Sequence, residues 1–275
     1  KHPLTFGSAQ STGTGFDRLT FFGKDGEPVR GYYARPKGAG PVPAILYIHA
    51  HGDRYDIGAD EVLNGRPALQ RALGPVLADR GYGVLCIDLP GFGARATATE
   101  SALAKKALWH GGSLCGQMLG ELHSVFEWLS GQNGVDAARV GLFGISMGAT
   151  LAYWLAAIEP RVAALAHLCC LADFDRLIDV GAHDLHGIYL TVPGLLNIAS
   201  NGQIAGSIAP RPQFIGIGDQ DPLTPPDAVD PALKGLRERY ADAASALHIV
   251  REHASGHIET PAIRRSMLAF FRSSL

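Results

Sequence analysis

The chain predicts an α/β fold: a mostly parallel twisted sheet of about eight strands, helices on both faces, and a short lid-like insertion. Three observations carry that expectation. Strand-like and helix-like segments alternate along the chain, the pattern of successive βα units. The central strand-like runs, such as Ala44-Ile45-Leu46-Tyr47-Ile48, are apolar without a break, as in a sheet covered on both sides. A Gly-x-Ser-x-Gly string, Gly144 to Gly148, falls between one such run and an Ala- and Leu-rich helical stretch.

Taken in order, 18–23 and 29–34 flank the turn Lys24-Asp25-Gly26-Glu27 and read as an opening hairpin. The apolar strand at 43–49 follows. A helix is expected over 67–80, stopped by Gly81, and a further strand over 84–89. Residues 101–130 read as one long or broken helix, interrupted near Gly111-Gly112. The run Arg139-Val140-Gly141-Leu142-Phe143 is the strand that enters the serine string, and 150–158 the helix that leaves it. More strands are expected at 162–171, 212–218 and 246–251, with helices at 230–240 and 261–271. Thr260 suits an N-cap for the last helix, with Pro261 in its first position. Residues 172–209 are long, Gly-bearing and without a clear period, and an insertion of that size between core strands usually shapes or covers a pocket. No repeat or low-complexity linker divides the chain, so a single domain over 1–275 is expected, with the insertion at 172–209 shaping the substrate pocket.

Composition narrows the function. With 47% hydrophobic and 18% charged residues in 275, the chain can fill a sizeable core and is not of the disordered type. A net charge of −2 without a basic stripe argues against nucleic-acid binding. No apolar run reaches the roughly 18 residues of a membrane span. Cys86, Cys115, Cys169 and Cys170 lack metal-type spacing and sit mostly in apolar segments, so buried, reduced thiols and a cytoplasmic setting are expected. The chain begins at Lys1 rather than Met, and loss of an upstream segment would leave that location open.

The chemistry gathers around Ser146. A serine hydroxyl is a poor nucleophile until geometry and a neighbouring base activate it. Flanking glycines let a strand turn sharply into a helix, because side chains at Gly144 or Gly148 would collide with the adjoining elements. With 34 glycines in the chain the string alone is unspecific, and its placement is what raises it. A serine hydrolase also needs a histidine base and an acid to orient it. Both follow in chain order, each just past a predicted parallel strand, at the edge where open α/β sheets gather ligands. Asp219 and Asp221 follow the strand at 212–218. Asp221 is preferred because Pro222 biases it towards extended backbone beyond the strand end, while Asp219 competes as a residue able to bond the turn. His257, after a glycine in the last loop, is preferred to its competitor His253. The developing oxyanion needs two N–H donors. One is expected from Met147, at the start of the elbow helix where the dipole favours negative charge. The other is expected from the loop His49-Ala50-His51-Gly52-Asp53.

The order Gly-x-Ser-x-Gly, then Gly218-x-x-Asp221, then Gly256-His257, with His51-Gly52 upstream, resembles the α/β-hydrolase superfamily. Within it the chain is most similar to the dienelactone hydrolase-like and acetyl xylan esterase-like group. The resemblance runs from Pro43 through Phe271 and includes the turn Asp88-Leu89-Pro90-Gly91-Phe92-Gly93. It implies that Asp53, the residue after His-Gly, offers the second oxyanion N–H. Dienelactone hydrolases proper carry cysteine where this chain has Ser146, and acetyl xylan esterases of this type carry glutamine where it has Met147. Neither lactone opening nor a sugar-ester preference is therefore implied. The expected function is a serine carboxylic ester hydrolase for small or short acyl chains, with a small-molecule ester as partner and no cofactor or metal. His51, Gly52, His186 and Tyr189 are candidates to line the substrate pocket.

Other classes are weighed against that reading. Peptidase or amidase chemistry would use the same triad. His49-x-His51-x-Asp53 matches the start of the His-x-His-x-Asp-His signature of metallo-β-lactamase-like zinc hydrolases, yet Arg54 stands at its last position, where a cation opposes a metal. Gly91-Phe92-Gly93-Ala94-Arg95-Ala96 fits a loose dinucleotide-binding string, but after the wrong strand. A non-catalytic binding protein on the same fold is a further alternative. Arg54, Asp60, Glu61 and Arg66 read as a network holding their loop rather than as a site for a charged substrate.

Overall fold

The unbroken apolar runs form the middle of a nine-stranded sheet. The computed structural model describes residues 2–38 and 40–275, and Lys1 and Ala39 lie outside them. The strands are β1 (Thr5–Ser11), β2 (Asp17–Phe22), β3 (Pro28–Ala34), β4 (Val42–Ile48), β5 (Gly83–Ile87), β6 (Val135–Ile145), β7 (Leu165–Leu168), β8 (Gln213–Gly218) and β9 (Leu247–Glu252). Their spatial order is β1-β2-β3-β5-β4-β6-β7-β8-β9. Strands β1, β2 and β3 pair antiparallel, as do β3 and β5, whereas every pairing from β5 across to β9 is parallel. The ninth strand is β1. All seven of its residues are exposed and none of its composition marks a buried face, so only pairing with β2 makes it a strand.

The helices are α1 (Glu61–Asn64), α2 (Leu73–Ala78), α3 (Glu100–Trp109), α4 (Leu114–Ser130), α5 (Met147–Ile158), α6 (Phe174–Asp179), α7 (Asn201–Gly206), α8 (Pro226–Arg239) and α9 (Pro261–Ser274). Successive strand residues point to opposite faces, and the core divides accordingly. Leu46, Ile48, Leu85 and Leu142 pack with Phe126, Leu151 and Leu233 of α4, α5 and α8. Ile45, Tyr47, Val84 and Phe143 pack with Leu77, Met267 and Phe271 of α2 and α9. Each fully buried Phe or Leu removed from water contributes about 2 kcal/mol. Both faces are covered, which is why the sequence shows continuous apolar runs instead of alternation.

Several boundaries differ from expectation for tertiary reasons. The helix expected over 67–80 contracts to α2, because Gln70 is drawn to Glu259: its N–H donates to the carboxylate at 3.1 Å and its amide to the carbonyl at 2.6 Å. The strand expected at 162–171 shortens to β7, since Cys169 takes a left-handed φ of 56°. Helix α8 starts at Pro226 rather than near Asp230 and carries Pro231 inside it. Gly111-Gly112 does separate α3 from α4, and Ser113 caps α4 by accepting from the Gly116 N–H at 3.0 Å. Thr260 caps α9, accepting from the Ile263 N–H at 3.2 Å, with Pro261 first in the helix. Among the described residues no helix is long and apolar enough to cross a membrane.

The topology also places a site. From β4 the chain passes to β5 on one side, then returns to β6 on the other. Connections leaving in opposite directions open a crevice at the carboxyl ends of those strands, where α/β sheets bind ligands.

Candidate active site

Ser146 stands in that crevice, at the end of β6 and ahead of α5, with φ 57° and ψ −125°. A non-glycine residue held there costs about 1–3 kcal/mol, which the surrounding packing must offset. Its N–H donates to the Leu168 carbonyl of β7 at 2.9 Å, and its own carbonyl accepts from Ala149 and Thr150. The two glycines are required by space. A Cβ on Gly144 would lie 2.1 Å from the Gly148 oxygen, and one on Gly148 would lie 2.0 Å from the Ile48 oxygen. Strand β4, strand β6 and α5 thus meet backbone to backbone. Helix α5 begins at Met147, whose N–H is a first-turn donor without an intrahelical acceptor, at the positive end of the dipole.

Asp221 lies past β8 and His257 past β9, and the two meet. His257 Nδ1 is 2.6 Å from Asp221 Oδ2. The carboxylate also accepts from the Leu223 N–H at 2.9 Å and the Thr224 hydroxyl at 3.1 Å, and Asp221 is fully buried. Because carboxylate oxygens accept here, Nδ1 carries the imidazole proton and Nε2 presents a lone pair. Among the described residues no hydrogen bond joins that ring to the Ser146 hydroxyl. Catalytic bonds of this kind commonly tighten only when substrate binds.

The competing acid and histidine also pair, but differently. Asp219 is bonded by His253 and by Arg251, whose Nε lies 2.5 Å from Oδ1. The His253 side chain is 85% exposed, against 24% for His257. Burial would raise the Asp219 carboxyl, but the bonds from Arg251 and His253 outweigh it and hold it below its ordinary value. This pair is therefore one part of a surface ion network that continues to Asp230.

The loop after β4 makes two consecutive left-handed residues, Gly52 at φ 55° and Asp53 at φ 52°, closed by the Arg54 N–H donating to the His51 carbonyl at 3.2 Å. The Asp53 N–H is already engaged, donating to His51 Nδ1 at 3.1 Å. His51 Nε2 in turn lies 2.7 Å from Glu100 Oε2. Both His51 and Glu100 are buried. Burial would raise the Glu100 carboxyl, yet the bonds from His51 and from the Tyr189 N–H prevail and keep it below its ordinary value. Glu100 escaped the sequence reading because an acid in the first turn of a helix is already explained by the dipole.

Of the insertion residues, Tyr189 is buried with its ring stacked 5.7 Å from His51. His186 is half-buried, with Nε2 2.9 Å from the Leu223 carbonyl. Burial, with His257 nearby, lowers the His186 imidazole below its usual value. Gly52 is exposed, and a Cβ there would lie 2.5 Å from the Arg66 guanidinium. An open groove of about 620 Å³ lies alongside, lined by Tyr55, Gly91, Thr97, Thr99, Glu100 and Ile188.

The zinc-type string does not form a ligand set. His49 is fully buried, its Nδ1 donating to the Ala50 carbonyl at 3.0 Å and its Nε2 accepting from the Leu89 N–H at 3.1 Å. The dinucleotide-like string serves structure as well. A Cβ on Gly93 would lie 2.1 Å from Asp88 Oδ1, and the Arg95 guanidinium is taken by Glu121 and Glu27. The loop network holds in part. Glu61 accepts from Tyr47 at 2.7 Å and the Ala50 N–H at 3.0 Å, and it pairs with Arg66. Asp60 instead pairs with Arg30, and Arg54 with exposed Asp56. The adjacent Cys169 and Cys170 are buried free thiols, which burial pushes upward and so keeps protonated.

The fold and the serine turn define an α/β-hydrolase, and the chain is a hydrolase of the α/β serine-hydrolase type. It belongs to the X-Pro dipeptidyl-peptidase (S15 family), whose family model matches residues 25–207. Over 253 residues it is 37% identical to "Putative hydrolase YtaP" of Bacillus subtilis (strain 168), covering 90% of this chain and 84% of that one. Acetyl xylan esterase 1 from Thermoanaerobacterium sp. JW/SL YS485 shares the fold with a TM-score of 0.66 at 19% identity, over 99% of this chain and 87% of that one. "Putative Dienelactone Hydrolase" from Klebsiella pneumoniae subsp. pneumoniae MGH 78578 does so with a TM-score of 0.61 at 20% identity, over 90% and 94%.

Proposed function

We propose that this protein hydrolyses carboxylic esters of small or short acyl groups through an acyl-enzyme on Ser146. The observation that carries the reading is the His257–Asp221 pair on the same sheet edge as the strained serine turn. His257 Nε2 takes the hydroxyl proton as Ser146 attacks the carbonyl carbon, and Asp221 holds Nδ1–H and stabilises the imidazolium. The tetrahedral oxyanion takes the Met147 N–H and the Asp53 N–H, the latter shared with His51 Nδ1. Each such donor is worth about 3 kcal/mol in the transition state. Collapse expels the alcohol, which leaves with the proton from His257. Water then repeats the sequence on the acyl-enzyme. The insertion at 172–209 shapes the pocket, with Ile188 lining the groove beside the Tyr189 backbone.

Ser146→Ala tests this. Hydrolysis of a short-chain nitrophenyl ester should fall by more than a thousandfold, and a fluorophosphonate should label wild type and not the variant. Turnover within tenfold of wild type would overturn the assignment.

The family match favours a second reading, cleavage after an X-Pro dipeptide by the same residues. An Ala-Pro-nitroanilide run beside the ester separates the two. A higher kcat/KM on the anilide would make the protein a peptidase.

A further inference from the structure

Resting on that reading of Ser146, we propose that Glu100 is a positioning residue. Through His51 it sets the direction of the Asp53 N–H, and through the Tyr189 N–H it ties that setting to the seating of the insertion.

Two separate segments, the loop after β4 and the insertion, converge on this one buried carboxylate. Oε2 accepts from His51 Nε2 at 2.7 Å and from the Tyr55 hydroxyl at 2.9 Å, and Oε1 accepts from the Tyr189 N–H at 2.6 Å. Three donors occupy it, and its side chain is 6% exposed, so it serves the protein rather than a ligand. A buried charge is retained at a cost only when its bonds are well made.

The carboxylate dictates a tautomer. With Nε2 donating to Glu100, His51 Nδ1 is left as an acceptor, and it takes the Asp53 N–H at 3.1 Å. Without that acceptor the imidazole proton can move to Nδ1, where it would oppose Asp53 donor against donor. The ring has little freedom otherwise, since Tyr189 stacks on it and Tyr55 and Phe92 pack T-shaped against it with ring centroids 5.1 Å away.

The insertion completes the link. His186 is bonded to the Leu223 carbonyl, two residues past Asp221, so 186–189 runs from the acid loop to the oxyanion loop. Gly187 passes with no spare space: a Cβ there would lie 2.7 Å from Glu100 Oε1 and 2.9 Å from His51 Nε2. Its φ of −65° suits any residue, so alanine there would act by contact alone.

The test measures kcat and KM of Glu100→Gln, His51→Gln, their double variant and Gly187→Ala on a short-chain nitrophenyl ester, with active sites counted by fluorophosphonate. Each variant should lose ten- to hundredfold in kcat per labelled site with KM within about threefold, the split expected for an interaction made only in the transition state. The double variant should be no worse than His51→Gln, because both act on one donor. Glu100→Gln with kcat within twofold, a rise in KM alone, or additive losses would overturn the proposal. If Glu100→Gln fails to fold, Gly187→Ala decides by the same limits. A wild type that neither labels nor turns over would overturn the Ser146 reading and this proposal with it. A labelled, active wild type with unaffected variants would overturn this proposal only.

Discussion

His257 Nδ1 lies 2.6 Å from Asp221 Oδ2, and two further donors from the acid's own turn hold that carboxylate in place. Asp219 and His253 form a similar couple two and four residues earlier in the chain, at the surface. Asp221→Asn would set an amide donor against Nδ1–H and force the wrong tautomer. It should lower kcat by about 10³–10⁴, whereas Asp219→Asn should stay within tenfold of wild type. Steady-state rates on a nitrophenyl ester decide, and the opposite ranking would move the acid to Asp219.

Stability should fall on acidification through two core histidines. Burial lowers His49 to about 4 and His167 to about 3, from an ordinary value of 6.5. Below pH 6.5 the unfolded chain binds protons that the folded one refuses. Their contribution is therefore whole above that pH and diminishes down to pH 4 and 3, by at most about 1.4 kcal/mol per pH unit for each ring. Urea midpoints measured from pH 7.5 to 4.5 should decline, and His167→Gln should flatten the decline. An unchanged slope in that variant would refute the attribution.

Gly148→Ala should destabilise by about 3 kcal/mol or more, since its Cβ would meet two backbone oxygens of the β4 end that have nowhere to move. Gly112→Ala, whose Cβ would have its nearest neighbour an ordinary 3.6 Å away, is the control and should be close to neutral. Equal melting behaviour of the two would contradict the close packing of α5 on β4.

Arg95 is 2% exposed in its side chain and Glu121 3%, and their ion pair is joined by Glu27. Arg95→Met strands a buried carboxylate and should cost about 3–5 kcal/mol. Adding Glu121→Leu should restore most of that loss, which a double-mutant cycle on chemical denaturation would read directly.

Legibility followed burial and strand ends. Ile45, Tyr47 and Phe143 announce covered strands because both sheet faces are apolar there, and Ser146, Asp221 and His257 stand out as candidates because each falls just past a predicted strand. Thr5–Ser11 gave no signal, being exposed along its length and made a strand by its partner alone. The string at His49, His51 and Asp53 resembles a metal motif in spacing alone, and spacing says nothing of a ring turned inward to Leu89. Glu100 and the prior engagement of the Asp53 N–H give no signal in the sequence either. The Glu100 cluster depends on chain brought from far away, Tyr189 above all, and the Asp53 bond on a ring orientation that spacing does not show.

Ser146 keeps a backbone shape that glycine alone would accept at ease. The fold thus tolerates a strained residue where strand runs into helix, and a glycine there would relieve the strain while removing the hydroxyl on which the proposed chemistry depends.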